Sequence, residues 1–228
     1  MTLLELAVNG ADLAIDPAGA LWWPERRLLA VADLHFEKAT SLARRGHLLP
    51  PYDTRATLAR LARLVERHRP ATLLCLGDSF HDVEGPGRLE PEDLATLAAL
   101  AVVTEILWVE GNHDPGILPA GLGRLVDEIA LGPLIFRHEA SPAFGGGEVS
   151  GHYHPKASVS GGVRRVTGRC FVTDGRRLIL PAFGQLTGGL DVRDAAYAPL
   201  FPRGFEVVLL GERRAEPFRE RRLCIRQP

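Results

Sequence analysis

The chain has 228 residues, 46% of them hydrophobic and 24% charged, with a formal net charge of −1. That length and apolar content suit one sizeable core, with residues 1–228 as a single domain. The near-neutral balance excludes a protein drawn to nucleic acid or membrane by a general positive field, so any anionic substrate must be held locally.

Chain order then gives the elements. Residues 3–15 are two short apolar runs around Asn9-Gly10, the strongest two-residue hairpin signal, so a β-hairpin opens the chain. The runs RLLAVAD (27–33), ATLLCLGD (71–78) and EILWVE (105–110) are apolar throughout rather than alternating, which suits strands buried on both faces. Between the first two, residues 53–70 place Leu58, Leu61, Ala62 and Val65 at helical spacing, with Asp53 as N-cap and Pro70 as stop. Between the second and third, EPEDLATLAALAVV predicts another helix with Pro91 in its first turn. Strand, helix, strand, helix, strand is the pattern of a parallel sheet built from crossovers. The second half changes character: residues 169–180 form a hairpin around Asp174-Gly175, and 205–210 are a further apolar run. A mixed α/β sandwich is expected, with antiparallel strands towards the C-terminus. The clusters Gly145-Gly146-Gly147 and SVSGG read as loops.

Cys75, Cys170 and Cys224 form no C-x-x-C pair, which argues against a disulfide framework or a thiolate zinc site and for a reducing compartment. No basic-then-apolar leader opens the sequence and no uninterrupted apolar run reaches about 18 residues, so a cytoplasmic, non-membrane protein is expected.

Each of the three apolar runs ends in residues that bind metals: Asp33-Leu34-His35, then Gly77-Asp78, then Gly111-Asn112-His113-Asp114. In open α/β sheets, sites form just beyond the carboxyl ends of the strands, so these turns should converge. If strand geometry persists through Asp33-Leu34-His35, both polar side chains point the same way. His138 and the pair His152 and His154 follow. Asp33, His35, Asp78, Asn112, His138, His152 and His154 are seven N or O ligands with no thiolate, too many for one structural zinc ion and enough for two ions sharing a carboxylate. Mn²⁺ is the first choice, with Fe²⁺, Zn²⁺ and Ni²⁺ also compatible.

The order D-x-H, GD, GNHD, H, GHxH resembles the calcineurin-like metallophosphoesterase superfamily. The resemblance implies a β-sandwich of mixed sheets flanked by helices, in α/β/β/α layers. It assigns the first metal to Asp33, His35 and His154, the second to Asn112, His138 and His152, and the bridging carboxylate to Asp78. His113 matches the histidine facing substrate and Asp114 its orienting partner. VADLHFEKATSLARRGHLLPPYDTRATLARL, LLCLGDSFHD, LGPLIFRHEA and DGRRLILPAFGQLTGGLDV resemble more narrowly the bacterial ligase-associated DNA-damage-response metallophosphoesterases. That implies a DNA endonuclease or phosphodiesterase encoded beside a DNA ligase, a helicase and an exonuclease.

The chemistry implied is hydrolysis of a phosphodiester by a hydroxide bridging two ions, with His113 meeting the leaving oxygen as general acid or electrostatic stabiliser. Asp114, bonded to its other ring nitrogen, would fix the tautomer; the alternative is a cap on the turn before Pro115. His81 and Asp82 either support the bridging carboxylate or solvate a loop. Lys38, Arg44 and Arg45 either clamp a phosphate backbone or line an exposed amphipathic face. Arg164, Arg165, Arg169, Arg176 and Arg177 could form a basic strip near GHYHP, or a charged hairpin edge that resists aggregation. The motifs specify a phosphoryl group, not what is attached to it, so a small phosphoester is the alternative substrate. A non-catalytic interaction module is a third reading, against which the intact His113 speaks. Oligomeric state is left open.

Overall fold

The computed structural model describes residues 2–118, 121–143, 145–161 and 164–224. Two mixed sheets pack face to face. The first is made of β1 (Leu4–Val8), β2 (Ala11–Asp16), β3 (Ala20–Trp23), β4 (Leu28–Ala32), β5 (Thr72–Leu76), β6 (Glu105–Val109) and β7 (Arg124–Val126), in that order. β1 to β4 form an antiparallel meander and β4 to β7 run parallel. The opening turn is the expected one, with Asn9 and Gly10 both at positive φ (46° and 86°), as a type I′ turn requires.

The second sheet holds β8 (Glu128–Leu131), β9 (Leu134–Arg137), β10 (Gly147–Ser150), β11 (Pro155–Gly161), β12 (Arg164–Thr173), β13 (Arg177–Ile179) and β14 (Leu190–Asp191), with β15 (Glu206–Leu210) and β16 (Ala215–Arg219) branching from β12. β9, β10 and β13 are parallel, and the rest of the sheet is largely antiparallel. The two glycine segments expected as loops are partly strand. Gly147 opens β10 and residues 158–161 belong to β11, while Gly162 lies outside the described residues. Backbone pairing across the sheet satisfies their amides where side chains offer nothing to pack.

Three apolar layers follow from strand alternation. Leu28, Ala30, Leu74, Leu76 and Leu107 face Leu134, Phe136, Val149, Phe171 and Leu178 between the sheets. The opposite residues, Leu29, Val31, Leu73, Cys75, Ile106 and Trp108, face the helices. There α2 (Asp53–His68) and α3 (Pro91–Val103) bury Leu58, Leu61, Leu64 and Leu97. Each such leucine contributes about 1.5–3 kcal/mol. α1 (Lys38–Arg44) is a single short helix directly after the first metal turn. On the outer face of the second sheet, Tyr197, Leu200 and Phe201 cover Val172, Ile179 and Val207, from a segment containing a 3₁₀ turn at Ala195–Tyr197.

Asp53 does not cap its own helix. Its carboxylate accepts from the amides of Lys38 and Ala39 at 3.0 and 3.1 Å, so it caps α1, while Tyr52 stands at the N-cap of α2.

Candidate metal centre

Parallel strands β4, β5 and β6 end at Ala32, Leu76 and Val109, and the polar turns begin directly after them. β9 and β10 end at Arg137 and Ser150, delivering His138 and Gly151-His152 to the same edge from the second sheet. All seven expected ligands meet there in two groups. His35 Nε2 lies 3.3 Å from His154 Nε2 and 3.8 Å from Asp78 Oδ2, and His154 Nε2 lies 3.4 Å from Asp33 Oδ1. In the other group His138 Nε2 lies 3.0 Å from Asn112 Oδ1, 3.1 Å from His152 Nδ1 and 3.5 Å from Asp78 Oδ1. Two donors each about 2.1 Å from one ion at tetrahedral or octahedral angles stand roughly 3.0–3.4 Å apart, so both groups fit a divalent cation. Asp78 presents one oxygen to each, as a shared carboxylate must.

Strand geometry does not carry Asp33 and His35. Both are in the left-handed region (φ 53° and 44°), as are Asp78, His152 and His154 (46°, 69° and 47°). A non-glycine residue held there costs of order 1–3 kcal/mol, and five of them gather at one site. The alternation of Asp33 and His35 around Leu34, and of His152 and His154 around Tyr153, is thus a pair of coiled turns that aim both members inward. Leu34 itself is buried in the helix-facing layer.

Three glycines make room. A methyl group on Gly77 would overlap the His138 ring, and one on Gly111 would overlap the Asp78 amide and carboxylate; on Gly151 it would come within 2.7 Å of Ala32 Cβ and Asp33 Oδ2. The φ of Gly111 is not positive, so its smallness serves the approach of Asp78 and not a left-handed turn.

Hydrogen bonds orient the rings. His138 Nδ1 lies 3.1 Å from the Leu76 carbonyl, which can only accept, so that nitrogen carries the proton and Nε2 keeps its lone pair for a metal. The Asp33 carboxylate accepts from the His152 amide at 3.0 and 3.1 Å, and Asp78 Oδ1 accepts from the His113 amide at 3.0 Å. Burial, then the neighbouring His154, depress His35 to about 2, and burial and His138 also lower His152. Neutral imidazoles are the form that binds metals.

The expected link between His113 and Asp114 is not made. His113 Nδ1 donates to the His81 carbonyl at 3.0 Å, and its ring stacks on that of His81 with centroids 5.2 Å apart. Asp114 is buried and accepts from the Phe80 amide at 2.9 Å, tying the turn after Asp78 to the turn after Asn112. Burial, then the nearby Asp78, raise its carboxyl to about 6. His113 is left 39% exposed, with Nε2 3.9 Å from Asp78 Oδ2.

His81 touches His35 (Nδ1 to Nδ1, 3.5 Å) rather than the carboxylate of Asp78. Asp82 instead accepts from Arg88 Nη1 and Nη2, each at 2.9 Å. Of the three basic residues after the first turn, Lys38 and Arg45 bear electrostatically on His81, whereas Arg44 pairs with Glu84. Among the described residues, three of the five arginines expected as a basic strip near GHYHP are turned to other partners. Arg177 is buried against Glu148 at 2.6 Å, Arg176 donates to the Gly145 carbonyl and Arg169 lies in a separate cavity; the side chain of Arg164 lies outside the described residues. Sequence reading missed the His81 carbonyl and put the cap from Asp53 on α2 instead of α1, since neither contact has a signal outside the folded chain.

Residues 26–190 match the family described as calcineurin-like phosphoesterase. The chain belongs to that family. Nuclease MPE from Pseudomonas putida, a solved structure, is 32% identical and superposes with a TM-score of 0.75, covering 95% of this chain and 100% of that one. Yfce, a phosphoesterase from E. coli, is 14% identical with a TM-score of 0.42, over 82% of this chain and 95% of that one. Among curated proteins no sequence matches. Family membership, the mixed two-sheet sandwich with its helices and the two donor groups make this chain a metal-dependent phosphoesterase. Among the described residues no helix is long and apolar enough to cross a membrane.

Proposed function

We propose that the chain is a manganese-dependent DNA endonuclease acting in the DNA damage response in the cytoplasm, folded as one domain. The observation that carries this reading is the pair of donor groups sharing Asp78 at the open edge of the sandwich. Its likeness to a nuclease along nearly its whole length supports nucleic acid as the substrate. Functional partnership with a DNA ligase, a helicase and an exonuclease belongs to the same reading and is carried by the motif resemblance.

In this reading Asp33, His35, His154 and Asp78 would hold one divalent ion, and Asp78, Asn112, His138 and His152 the other. Two such ions, when bound, would make a water nucleophilic at neutral pH and screen the charge of the phosphate oxygens. The protein's own groups do the rest. Left-handed turns hold the ligands preset, so little reorganisation accompanies reaction. His113, with Nδ1 fixed on the His81 carbonyl, turns Nε2 towards the space beside Asp78, where the ring in its imidazolium form, with both nitrogens protonated, can give the Nε2 proton to a leaving oxygen. Asp114 positions that histidine through the backbone, by binding the turn that carries His81. Lys38 and Arg45 offer positive charge to flanking phosphates.

The test is a substrate panel with Mn²⁺: single-stranded, nicked and duplex DNA beside bis-p-nitrophenyl phosphate and a monoester. Cleavage of DNA that slows as salt rises is expected, because phosphate contacts release counterions, together with complete loss under a chelator. Activity in metal-free protein would overturn the dimetal mechanism. Hydrolysis of the small diester with every DNA form inert would favour a small phosphoester as substrate.

A further inference from the structure

A second polar feature lies on the face of α2, away from the metal ligands. Arg60, Arg63 and Arg67 recur at spacings of three and four and so form one stripe on the helix. With Arg169 from β12 they line a cavity of about 380 Å³ closed by the turn between β2 and β3 and the end of β15. Arg67 is engaged by Asp16 at 2.8 Å. Among the described residues lining the cavity, Glu212 is the one carboxylate.

Positive charge is crowded here, and the acceptors present, Asp16 for Arg67 and the Ala182 carbonyl for Arg169, leave Arg60 unmatched among the described residues. The Arg60 guanidinium lies 4.1 Å over the Phe183 ring, and its Nε and Nη2 are closed off from solvent with no hydrogen-bond partner among the described residues. Buried donors left unmatched are costly. Burial, then the charges of Arg169 and Arg63, bring Arg60 down to about 10, the direction expected where like charges converge. Arg169 spends Nη1 on the Ala182 carbonyl at 2.8 Å. That segment runs on to the metal edge: Phe183 donates to the Ala32 carbonyl at 2.8 Å and Gly184 to that of Asp33 at 3.1 Å.

We propose that this cavity is an oxyanion site for a phosphate group, filled in a polymeric substrate by a backbone phosphate lying outside the metal centre. Planar guanidinium forks match phosphate oxygens in bidentate fashion, and an oxyanion would give Arg60 the acceptors it lacks after a small rotation towards the cavity. Such a site answers how a chain of net charge −1 holds a polyanion: by a local cluster instead of a general field. The nucleic-acid form of the proposal rests on the function proposed above; the phosphate site itself does not.

The test uses the full chain loaded with Mn²⁺ and the variants Arg60→Met, which keeps the aliphatic stem over Phe183, Arg169→Met and Arg63→Ala. The ratio of single-stranded DNA cleavage to bis-p-nitrophenyl phosphate turnover is expected to fall about tenfold in Arg60→Met, and the log–log salt slope of DNA binding to shrink by about one. If the ratio holds but the rise in Tm that inorganic phosphate gives the wild type shrinks in the variant, the site stands and its occupant is free phosphate. An unchanged ratio together with an unchanged phosphate increment overturns the proposal. Should Arg60→Met fail to fold, Arg63→Ala, whose parent side chain is exposed, is read by the same two measurements. Wild type inert towards the small diester would count against the dimetal reading alone, since the phosphate increment still judges the cavity.

Discussion

At His113 the ring nitrogen nearer the backbone is fixed by a carbonyl and the other is turned to the open edge. His113→Ala should therefore lower turnover of a small diester by about 10²–10³-fold while metal content, read by elemental analysis, stays near wild type. Loss of metal in that variant would show the ring to be a ligand. Gly77 makes the opposite forecast. Its φ of +73° and the His138 ring beside it leave no place for a methyl, so Gly77→Ala should cost about 2–4 kcal/mol of stability, from strain plus overpacking, and reduce metal bound per chain. Gly46→Ala, at φ +86° with open space around it, should cost only the conformational share, about 1 kcal/mol. Thermal melts and metal stoichiometry on the two variants check this. That the seven proposed ligands would converge was legible, because the first three polar turns stand just past apolar runs and the histidines after them complete one donor set. The left-handed conformations and the detour of His113 through His81 were not, because both depend on neighbours roughly 30 to 120 positions away.

Among the elements, α2, α3 and the three parallel strands could be read from spacing, since long apolar periods outweigh local ambiguity. α1 could not: it has seven residues, no cap of its own and a carboxylate borrowed from Asp53. β7, β8 and β9 are three- and four-residue strands whose sequence has no decisive period, and pairing with longer neighbours makes them. The loop carrying Asp82 offers a pH test. Burial by itself would raise its carboxyl, but the Arg88 fork, the Ser41 hydroxyl and the Glu84 amide lower it to about 2. A carboxyl held below its ordinary 3.8 adds stability above about pH 4 and loses it as pH falls through about 2. The difference in Tm between wild type and Arg88→Met should thus be full at pH 6 and shrink below pH 4, and a constant difference would show that the pair adds nothing through charge.

For the whole molecule, the apolar layer between the sheets draws on both halves of the sequence. Far-ultraviolet dichroism and tryptophan fluorescence should report one coincident unfolding transition, and two separated transitions would argue for two domains. The layering itself was legible in outline, since buried parallel runs followed by hairpins leave few other arrangements.

The seven side chains expected to bind metal are divided between the sheets: Asp33, His35, Asp78 and Asn112 follow strands of the first, and His138, His152 and His154 lie beside strands of the second. Bound ions would therefore work as a clasp across one mouth of the sandwich, while the opposite mouth is joined by side-chain packing and by two hydrogen bonds of Asn9, from its amide to the Gly175 carbonyl and from Nδ2 to the Pro133 carbonyl. Chelation should leave the second end as slow to exchange its amide hydrogens as before, while residues 33–36 and 151–155 begin to exchange together, as two leaves of a hinge released at the same instant.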